Sequence, residues 1–404
     1  MKDVQVVAVC DVERETGGYI STVWDRGEVK KHCGREPARK MVNEHYAKDR
    51  GVSSYKGCRA YVDYRELLDN EDVDAVLVAT PDHTHAVISM AALKKGCHLF
   101  CEKPLSYTIH EARELVNAAR EAGVATQLGN HGQADERDRI TREYIMDGAI
   151  GHVREVHVKV GPRWWDAPKG PPVGRPPVPK GLDWDLWLGP APEVPYHPDY
   201  HPWNWRDYRG FGTSELGDIG CHRLSTIFKA LKLEHPISAE GEWEEIHPDI
   251  YPRKFKVTFE FPQRGELPPV TLIWFDEGYE APRPKDLEEK RTFKQGNVFY
   301  GDEGTMLNHM LIPHAKAKAR GLPPKILPRS PGHHREWIDA CRGGPPAGAD
   351  IVKHAGLLTE TPLLGNIALT TDKKLHWDGP NLTITNDKAA NAQVHREYRK
   401  GWSL

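Results

Sequence analysis

The chain has 404 residues with a formal net charge of −3, and 39% of them are hydrophobic and 28% charged, which is the composition of an ordinary soluble protein. This near-neutral balance, without a block of basic residues, argues against nucleic acid or a membrane surface as partner and favours a small molecule. No apolar run approaches the roughly 18 residues of a membrane-spanning helix, and the first residues (MKDVQVVAVCDVE) lack a secretory signal, so a cytoplasmic location is the default expectation.

The first third of the sequence alternates strand and helix patterns. Short apolar runs predict buried parallel strands at 4–9, 75–80, 98–101 and 124–128. A helix is expected over 82–95, closed by Gly96, and a capping box of Thr108 and Glu111 opens a second helix that ends at Gly123. The pattern predicts a Rossmann-like α/β half with its ligand site at the carboxyl ends of the strands.

Beyond about residue 150, apolar residues recur at every second position, which predicts a largely antiparallel sheet with one face covered. The alternating residues are Val156, Val158, Val160, Phe255, Val257, Phe259, Phe261, Val270, Leu272 and Trp274. A hairpin is expected at 297–307, and a long rigid surface loop at 161–210, which is rich in Pro, Trp and Tyr. We therefore expect a dinucleotide-binding domain over 1–130 and an α+β substrate and oligomerisation domain over 131–404, whose last segments pack back on the first domain.

Seven cysteines are present, an odd number without C-x-x-C spacing. Neither a disulfide framework nor a zinc site is expected, and no metal ligands are predicted. Most of the thiols are expected to be buried as small apolar residues.

Polar residues stand at the ends of three predicted strands. Asp11 ends the first run, where an acid in a dinucleotide fold binds the adenosine ribose and repels a 2′-phosphate, favouring NAD over NADP. By itself such a residue is more often a cap or turn residue. The segments TPDHTH at 80–85 and CEKP at 101–104 each follow a strand, and each alone is explained by a helix cap or a solvated lysine.

Together, ATPDHTHA and EKPL, about twenty residues apart, resemble the ATP-x-H-x-H-A and EKP-[LM] motifs of the Gfo/Idh/MocA oxidoreductase family. Further segments resemble a branch of that family with an aromatic-rich substrate loop: GLDWDLWLGPAP (181–192), YHPWNWRDYRGFGTSELGDIGCH (200–222), LTETPLLGNIAL (358–369) and YRKGW (398–402). The resemblance covers nearly the whole chain. It implies that Lys103 reaches the reacting hydroxyl beside NAD, and the residues expected at the cofactor are Asp11, Thr80, Pro81, His83, His85, Glu102, Lys103, Pro104 and Asn130.

Asp218 and His222 lie four residues apart, opposite the apolar face of a predicted helix made by Leu216, Leu224, Ile227 and Leu231. By spacing alone, a solvated acid–histidine pair is the commoner arrangement, but after the Gly-rich approach GFGTSELG the pair matches the family's catalytic Asp and His. We expect His222 to be the general base and Asp218 to orient it or to pair with Lys103. Lys103 would hydrogen-bond the same hydroxyl and stabilise the negative charge on its oxygen.

The long loop carries aromatic side chains interleaved with polar ones, a combination that suits a sugar or polyol. The residues expected to contact substrate are Arg163, Trp164, Tyr200, Trp203, Trp205 and Arg206. Trp203 and Trp205 are the favoured contacts because they are closest in sequence to the Asp218 helix. For any one of these aromatics, pinning the loop to the sheet is an equally good explanation.

The N-terminus departs from the family pattern, because the fingerprint G-x-G-x-x-G should precede the ribose acid by about twenty residues. The first strand and the phosphate loop are therefore expected to be missing. A late-assigned start, a fragment and a member without ordinary dinucleotide binding all explain this, and the first two are favoured. An export signal ahead of the first strand would make the protein periplasmic.

Three functions remain open. The leading one is an NAD-dependent oxidoreductase that moves a hydride to or from a hydroxyl carbon of a sugar, glycoside or polyol. The second is an NAD-dependent glycosidase or lyase that works by transient oxidation and elimination. The third is a cofactor-free carbohydrate-binding or scaffold protein. A homodimer or homotetramer is expected from the family, since an open sheet face usually finds a partner.

Overall fold

The structure is a computed structural model that describes residues 3–20, 30–163, 165, 168, 170–245 and 247–404. The strands are β1 (Ala8–Cys10), β2 (Thr16–Ile20), β3 (Lys30–Cys33), β4 (Arg59–Tyr61), β5 (Ala75–Val78), β6 (His98–Cys101), β7 (Thr126–Leu128), β8 (Val153–Lys159), β9 (Ser238–Glu244), β10 (Lys254–Phe261), β11 (Val270–Phe275), β12 (Gly296–Gly301), β13 (Thr305–Leu307), β14 (Met310–Ile312), β15 (Leu375–Asp378) and β16 (Thr383–Ile384). The helices are α1 (Arg35–Asp49), α2 (Tyr64–Asn70), α3 (Asp82–Lys94), α4 (Ile109–Ala122), α5 (Glu136–Met146), α6 (Trp184–Leu188), α7 (Ser214–Asp218), α8 (Gly220–Leu231), α9 (His314–Arg320), α10 (His333–Cys341), α11 (Gly356–Ala368) and α12 (Lys388–Ala392).

Strands β5, β6 and β7 form the parallel sheet that the sequence predicts. Leu99, Phe100 and Cys101 of β6 are at most 1% exposed, as expected for a strand with both faces covered. Helices α3 and α4 cover this sheet, and the predicted capping box is confirmed: the Thr108 hydroxyl accepts a hydrogen bond from the Glu111 amide at 3.2 Å. The Glu111 carboxylate accepts one from the Thr108 amide at 3.0 Å.

Strands β1 and β4 pair in parallel but form a separate two-stranded sheet. No residue of β1 is buried, and Leu77 in the middle of β5 is 52% exposed. Among the residues that the structure describes, no strand joins the β1–β4 pair to β5.

The second half is built on a nine-stranded sheet with the strand order β14-β13-β12-β8-β11-β10-β9-β15-β16. It is mostly antiparallel, as predicted, and β8 with β11 is its parallel pair. Alternate residues of β10, from Phe255 to Phe261, are at most 1% exposed and face α8 and α11. Gly365 lets α11 approach closely, because a Cβ there would lie 2.7 Å from the Phe259 ring. The predicted hairpin is also confirmed, since β12 pairs with β13 in antiparallel register.

The long loop after β8 carries its own aromatic core rather than lying loosely on the surface. Trp187 packs against Phe211 with ring centroids 4.9 Å apart, and Trp184 stacks on Trp187 at 4.5 Å. A short 3₁₀ turn, Asn204–Asp207, then leads the chain to α7. The loop is therefore a packed layer that brings its polar residues to the start of α7.

The last segments of the chain return to the first half. Arg396 forms an ion pair with the buried Glu111 at the start of α4, and the Leu128 amide donates to the Ala349 carbonyl at 3.0 Å. A π-helical turn, Ile351–Ala355, precedes α11 and packs on α4. Within the described residues, no two cysteines are joined by a disulfide bond. In the described part of the chain, every helix is too short or too polar to span a bilayer.

Candidate functional site

Lys103 and Asp218 meet at the carboxyl end of β6, where a lysine from the first half faces the end of α7 from the second. The Lys103 Nζ and the Asp218 Oδ1 form an ion pair, and the two side chains are 18% and 10% exposed. Burial opposes both charges, but each partner outweighs it: Asp218 raises the pKa of Lys103, and Lys103 with Arg206 lowers the pKa of Asp218. At neutral pH both groups are therefore charged. Their convergence is the spatial relation on which the predicted mechanism depends.

His222 lies one turn beyond Asp218, at the start of α8. Burial, together with the nearby Lys103 cation, lowers the pKa of His222 to about 3, so that its imidazole is neutral at physiological pH. Its ring is 5.2 Å from the ring of His131, measured between centroids. A neutral imidazole beside an ammonium group can accept a proton while the cation holds the oxygen that loses it.

Arg206 connects the aromatic loop to this pair. Its guanidinium lies 4.3 Å from the Trp203 ring centroid and 4.4 Å from that of Trp205, and its Nε is 3.9 Å from Asp218 Oδ2. Gly212 permits this arrangement, because a Cβ there would overlap the backbone of Arg206. The predicted substrate residues Trp203, Trp205 and Arg206 thus stand together next to Asp218. Trp205 is only 6% exposed, so Trp203 and Arg206 offer the larger accessible surface.

A buried hydrogen-bond chain fixes the start of α7 against α3 and α11. The Thr213 hydroxyl donates to Asp82 Oδ2 at 2.5 Å, the Asn366 amide donates to the Thr213 carbonyl at 2.5 Å, and the Ser214 hydroxyl donates to Asn366 Oδ1 at 2.8 Å. Burial raises the pKa of Asp82. The sequence analysis missed Thr213 and Asn366 and assigned Asp82 only as a helix cap. Asp82 stands in the TPDHTH motif, which was the available signal.

Several residues predicted at the cofactor lie at the carboxyl ends of β1, β5 and β6. Thr80 and Pro81 are half-buried at the end of β5, and the Glu102 amide donates to the Val78 carbonyl at 2.8 Å. Gly129 makes room for the Glu102 carboxylate, which any Cβ at this position would overlap. Asp11 is exposed at the carboxyl end of β1, where its carboxylate accepts the Glu13 amide at 2.8 Å.

Asn130 offers a test of whether a nicotinamide fits this site. The side chain is fully buried, its Nδ2 donates to the Cys221 carbonyl at 3.4 Å, and its Oδ1 has no hydrogen-bond partner within the described residues. This buried amide oxygen next to His131 is an acceptor that matches the carboxamide N–H donor of a nicotinamide. The residues present therefore fit the nicotinamide end and, through Asp11, the ribose end. The sequence contains no G-x-G-x-x-G loop for the pyrophosphate.

His83 and His85 were predicted to line the cofactor, and in the structure both rings bond backbone carbonyl groups. The His85 ring bonds the Pro104 carbonyl through Nδ1 at 2.6 Å and the Thr80 carbonyl through Nε2 at 2.7 Å. Two carbonyl acceptors require two N–H donors, so the ring is an imidazolium. Burial opposes this charge, but Cys101, Asp82 and the Pro104 carbonyl raise the pKa of His85 to about 10. His85 therefore links the TPDHTH and CEKP segments by hydrogen bonds.

His83 lies beneath the aromatic loop. It is 0% exposed and bonds the Trp187 carbonyl through Nε2 at 2.8 Å. Its ring packs against those of Trp187 and Phe211. A side chain so enclosed positions the loop.

Arg163 was predicted to contact substrate, and this assignment is corrected. Its guanidinium pairs with Asp207 at 2.7 Å and Asp276 at 2.9 Å, and all three side chains are 0% exposed. Tyr200 is half-buried and packs edge-on against Tyr208 and Phe211 in the loop core. Trp164 lies outside the described residues.

Comparison with known proteins agrees with this geometry. Residues 21–130 match the model described as the oxidoreductase family, NAD-binding Rossmann fold (GFO_IDH_MocA). Residues 145–266 match the model of that family's C-terminal alpha/beta domain (GFO_IDH_MocA_C2).

Two curated relatives resemble part of the chain. One is 1,5-anhydro-D-fructose reductase of Ensifer adhaerens, 39% identical over 106 residues, which are 26% of this chain and 30% of the relative. The other is levoglucosan dehydrogenase of Pseudarthrobacter phenanthrenivorans, 33% identical over 91 residues, which are 22% of this chain and 23% of the relative. The matched regions therefore span less than a third of these relatives.

A solved structure extends the comparison of the fold to most of the chain. The WlbA dehydrogenase from Bordetella pertussis, in complex with NADH and UDP-GlcNAcA, superposes with a TM-score of 0.56 at 14% identity. The match covers 92% of this chain and 90% of that one. At this identity the likeness concerns the fold alone.

Proposed function

The chain belongs to the Gfo/Idh/MocA oxidoreductase family, with its NAD-binding Rossmann fold and C-terminal α/β domain, and on this premise we propose that it is an NAD-dependent oxidoreductase acting on a hydroxyl carbon of a sugar, glycoside or polyol. The observation that carries the proposal is the ion pair of Lys103 and Asp218 beside the neutral His222. Lys103 comes from one half of the sequence and the Asp218–His222 segment from the other, and the burial of the two charges has a cost that folding stability alone does not explain.

Bound NAD would supply the hydride acceptor, and this chemistry belongs to the cofactor. Asp11 would hold the ribose, while Thr80, Pro81, Glu102, Pro104 and Asn130 would border the nicotinamide half. The Lys103 ammonium, kept charged by Asp218, would donate a hydrogen bond to the substrate oxygen and stabilise its negative charge. His222 would accept the hydroxyl proton: its ring is neutral at working pH, and its pKa of about 3 makes it a weaker base than a free imidazole.

The substrate would enter between this pair and the aromatic loop. Trp203 offers an aromatic face for the C–H face of a sugar ring, and Arg206 offers guanidinium donors for its hydroxyl groups. The two relatives above act, by their names, on an anhydro sugar and on levoglucosan. We extend this substrate class to the present chain as part of the proposal.

Assembly into a homodimer or homotetramer is also part of the proposal. The outward residues of β10 remain half-exposed while the alternate residues are buried, so one face of the large sheet lacks a helical cover. Sedimentation velocity would test it, and a single monomeric species at micromolar concentration would contradict it. For location, the cytoplasm is proposed over the periplasm.

The cofactor part is tested by denaturing the purified protein and measuring released NAD(H) by mass spectrometry, together with a fluorescence titration with NADH. We expect bound or titratable NAD(H). Its absence in both measurements would favour the cofactor-free carbohydrate-binding protein.

The catalytic part is tested by turnover of anhydrosugars, pyranosides and polyols. Lys103→Ala and His222→Ala should abolish it, whereas the exposed controls Lys95→Ala and His152→Ala should not. Near-normal rates in either catalytic variant would remove that residue from the mechanism. Aglycone release without net NADH formation would instead identify the elimination reaction.

A further inference from the structure

A second cavity, of about 500 Å³, lies between α5, α8 and the π-helical turn before α11. None of Lys103, Asp218 and His222 lines it. Lys229, which does, is seven residues beyond His222 on α8, or about 10 Å along the helix axis. The cavity is thus separate from the proposed catalytic cleft but shares a helix with it.

Cationic side chains dominate the walls of this cavity: Arg139, Arg142, Lys229, Lys232 and Lys353. Two acids lie behind the arginines and neutralise them. Asp138 is 3.3 Å from Arg142 and 3.6 Å from Arg139, and Glu336 is 3.5 Å from Arg139. The arginines are therefore compensated within the protein, and the three lysines carry the excess charge.

The lysines lack comparable partners. Lys229 donates to the uncharged Gln133 Oε1 at 3.0 Å, and within the described residues neither Lys232 nor Lys353 forms an ion pair with an acid. Glu234 is the one acid among the lining residues. Even with Glu234 set against one lysine, about two positive charges remain uncompensated.

Groups of like charge lie close together at the inner wall of the cavity. Burial lowers the pKa of Lys229 to about 8, and burial with the cations of Lys229 and Arg142 lowers the pKa of His354 well below its usual value. The Arg142 Nε is buried without a hydrogen-bond partner in the described structure. An anion among these groups would satisfy the free donor and reduce the repulsion.

We propose that this cavity is a binding site for the phosphate group of a small phosphorylated molecule. Asp138 and Glu336 already neutralise the charge of the two arginines, whereas the lysine ammonium groups act as point charges that suit a tetrahedral dianion. The volume leaves room for more than the phosphate itself. The site is independent of the proposed redox activity, since it uses none of those residues.

Isothermal titration calorimetry with inorganic phosphate, and then with glucose 6-phosphate, tests this site. Chloride at matched ionic strength serves as the reference, and saturating NADH is included so that phosphate cannot occupy the cofactor cleft. We expect wild-type protein to bind both phosphates. Lys229→Met and Lys353→Gln should weaken binding about 10-fold or more, as expected for loss of one hydrogen bond to a charged group.

The matched control is Lys40→Gln, a substitution of an exposed lysine on α1, which should bind like wild type. Lys353 is exposed, so its variant keeps the test valid should Lys229→Met fold poorly by circular dichroism. Heat no greater than with chloride, or equal affinity in wild type and in the foldable variants, would overturn the proposal. Loss of NADH binding in wild type would affect the proposed function but not this site.

Discussion

The ion pair between Lys103 and Asp218 predicts a large, non-additive effect on folding stability. Three variants measure it: Lys103→Met, Asp218→Asn and the double variant. Both side chains are less than a fifth exposed, so solvent screens the pair only weakly. Removing one partner of such a pair costs about 3–5 kcal/mol, because the other charge is left uncompensated.

The two single variants should differ in their loss of unfolding free energy, because Arg206 lies next to the pair. In Lys103→Met, Asp218 still faces the Arg206 Nε at 3.9 Å, so its cost should lie at the lower end of that range. In Asp218→Asn, Lys103 and Arg206 face each other as two cations, and the cost should lie at the upper end. The double variant removes both charges of the pair and should cost less than Asp218→Asn alone. The coupling free energy should then be at least about 3 kcal/mol in magnitude, which is the upper end for contacting residues.

Urea unfolding at pH 7 measures these free energies. The pKa of Asp218 is lowered, so its contribution is present above its unfolded value of 3.8 and is lost as the pH falls through the folded value. The pKa of Lys103 is raised, so its contribution is present below 10.5 and is lost as the pH rises through the folded value. Neutral pH lies on the plateau between them.

The matched control is a cycle on the surface pair Arg320 and Asp147, whose N–O distance is 2.7 Å, and its coupling should stay below about 1 kcal/mol. If the losses of unfolding free energy in Lys103→Met and Asp218→Asn simply add in the double variant, the predicted coupling is refuted. In that case the two charges would not compensate each other in the folded protein.

Three further outcomes are expected. Arg163→Met should destabilise the fold by about 3–5 kcal/mol in urea, because it leaves Asp207 and Asp276 buried without a cation; a loss below 1 kcal/mol would contradict the buried triad. His222→Asn should lower turnover about 10²-fold or more with unchanged NADH affinity, and unchanged turnover would exclude it as the base. Burial raises the pKa of Glu215 from its ordinary value of 4.5 to about 9. The free energy of unfolding of the wild type should therefore fall, relative to that of Glu215→Gln, as the pH rises from about 5 to 9. Parallel profiles of the unfolding free energy against pH would disprove this.

The periodic parts of the fold were predictable because local pattern and tertiary environment agree there. The alternation from Phe255 to Phe261 marked one face of β10, and those residues are buried. The capping box at Thr108 and Glu111 depends on contacts three residues apart, and it formed as predicted. Such features are encoded within a few residues, so no distant contact is needed to recognise them.

The histidines of TPDHTH have contacts that the sequence did not predict. Motif resemblance assigned His83 and His85 to the cofactor, but His83 lies under Trp187, and both nitrogens of His85 bond backbone carbonyls. The same is true of Arg163, since its partner Asp276 is more than a hundred positions away. Motif membership identifies a residue without specifying which of its atoms remain free.

The sequence alone determined the two-part architecture and the strand-end position of Lys103. Those properties follow from hydrophobic periodicity, which is local. The sequence predicted one helix for Asp218 and His222, whereas the structure divides this segment into α7 and α8. Only the tertiary structure decided that Lys103 pairs with Asp218, that Arg206 joins Trp203 to that pair, and that three lysines share a cavity behind α8. Packing between residues that are distant in sequence determines these contacts. The same packing determines the burial and the neighbouring charges that set each pKa. The spacing of residues along the chain encodes neither the contacts nor the pKa values.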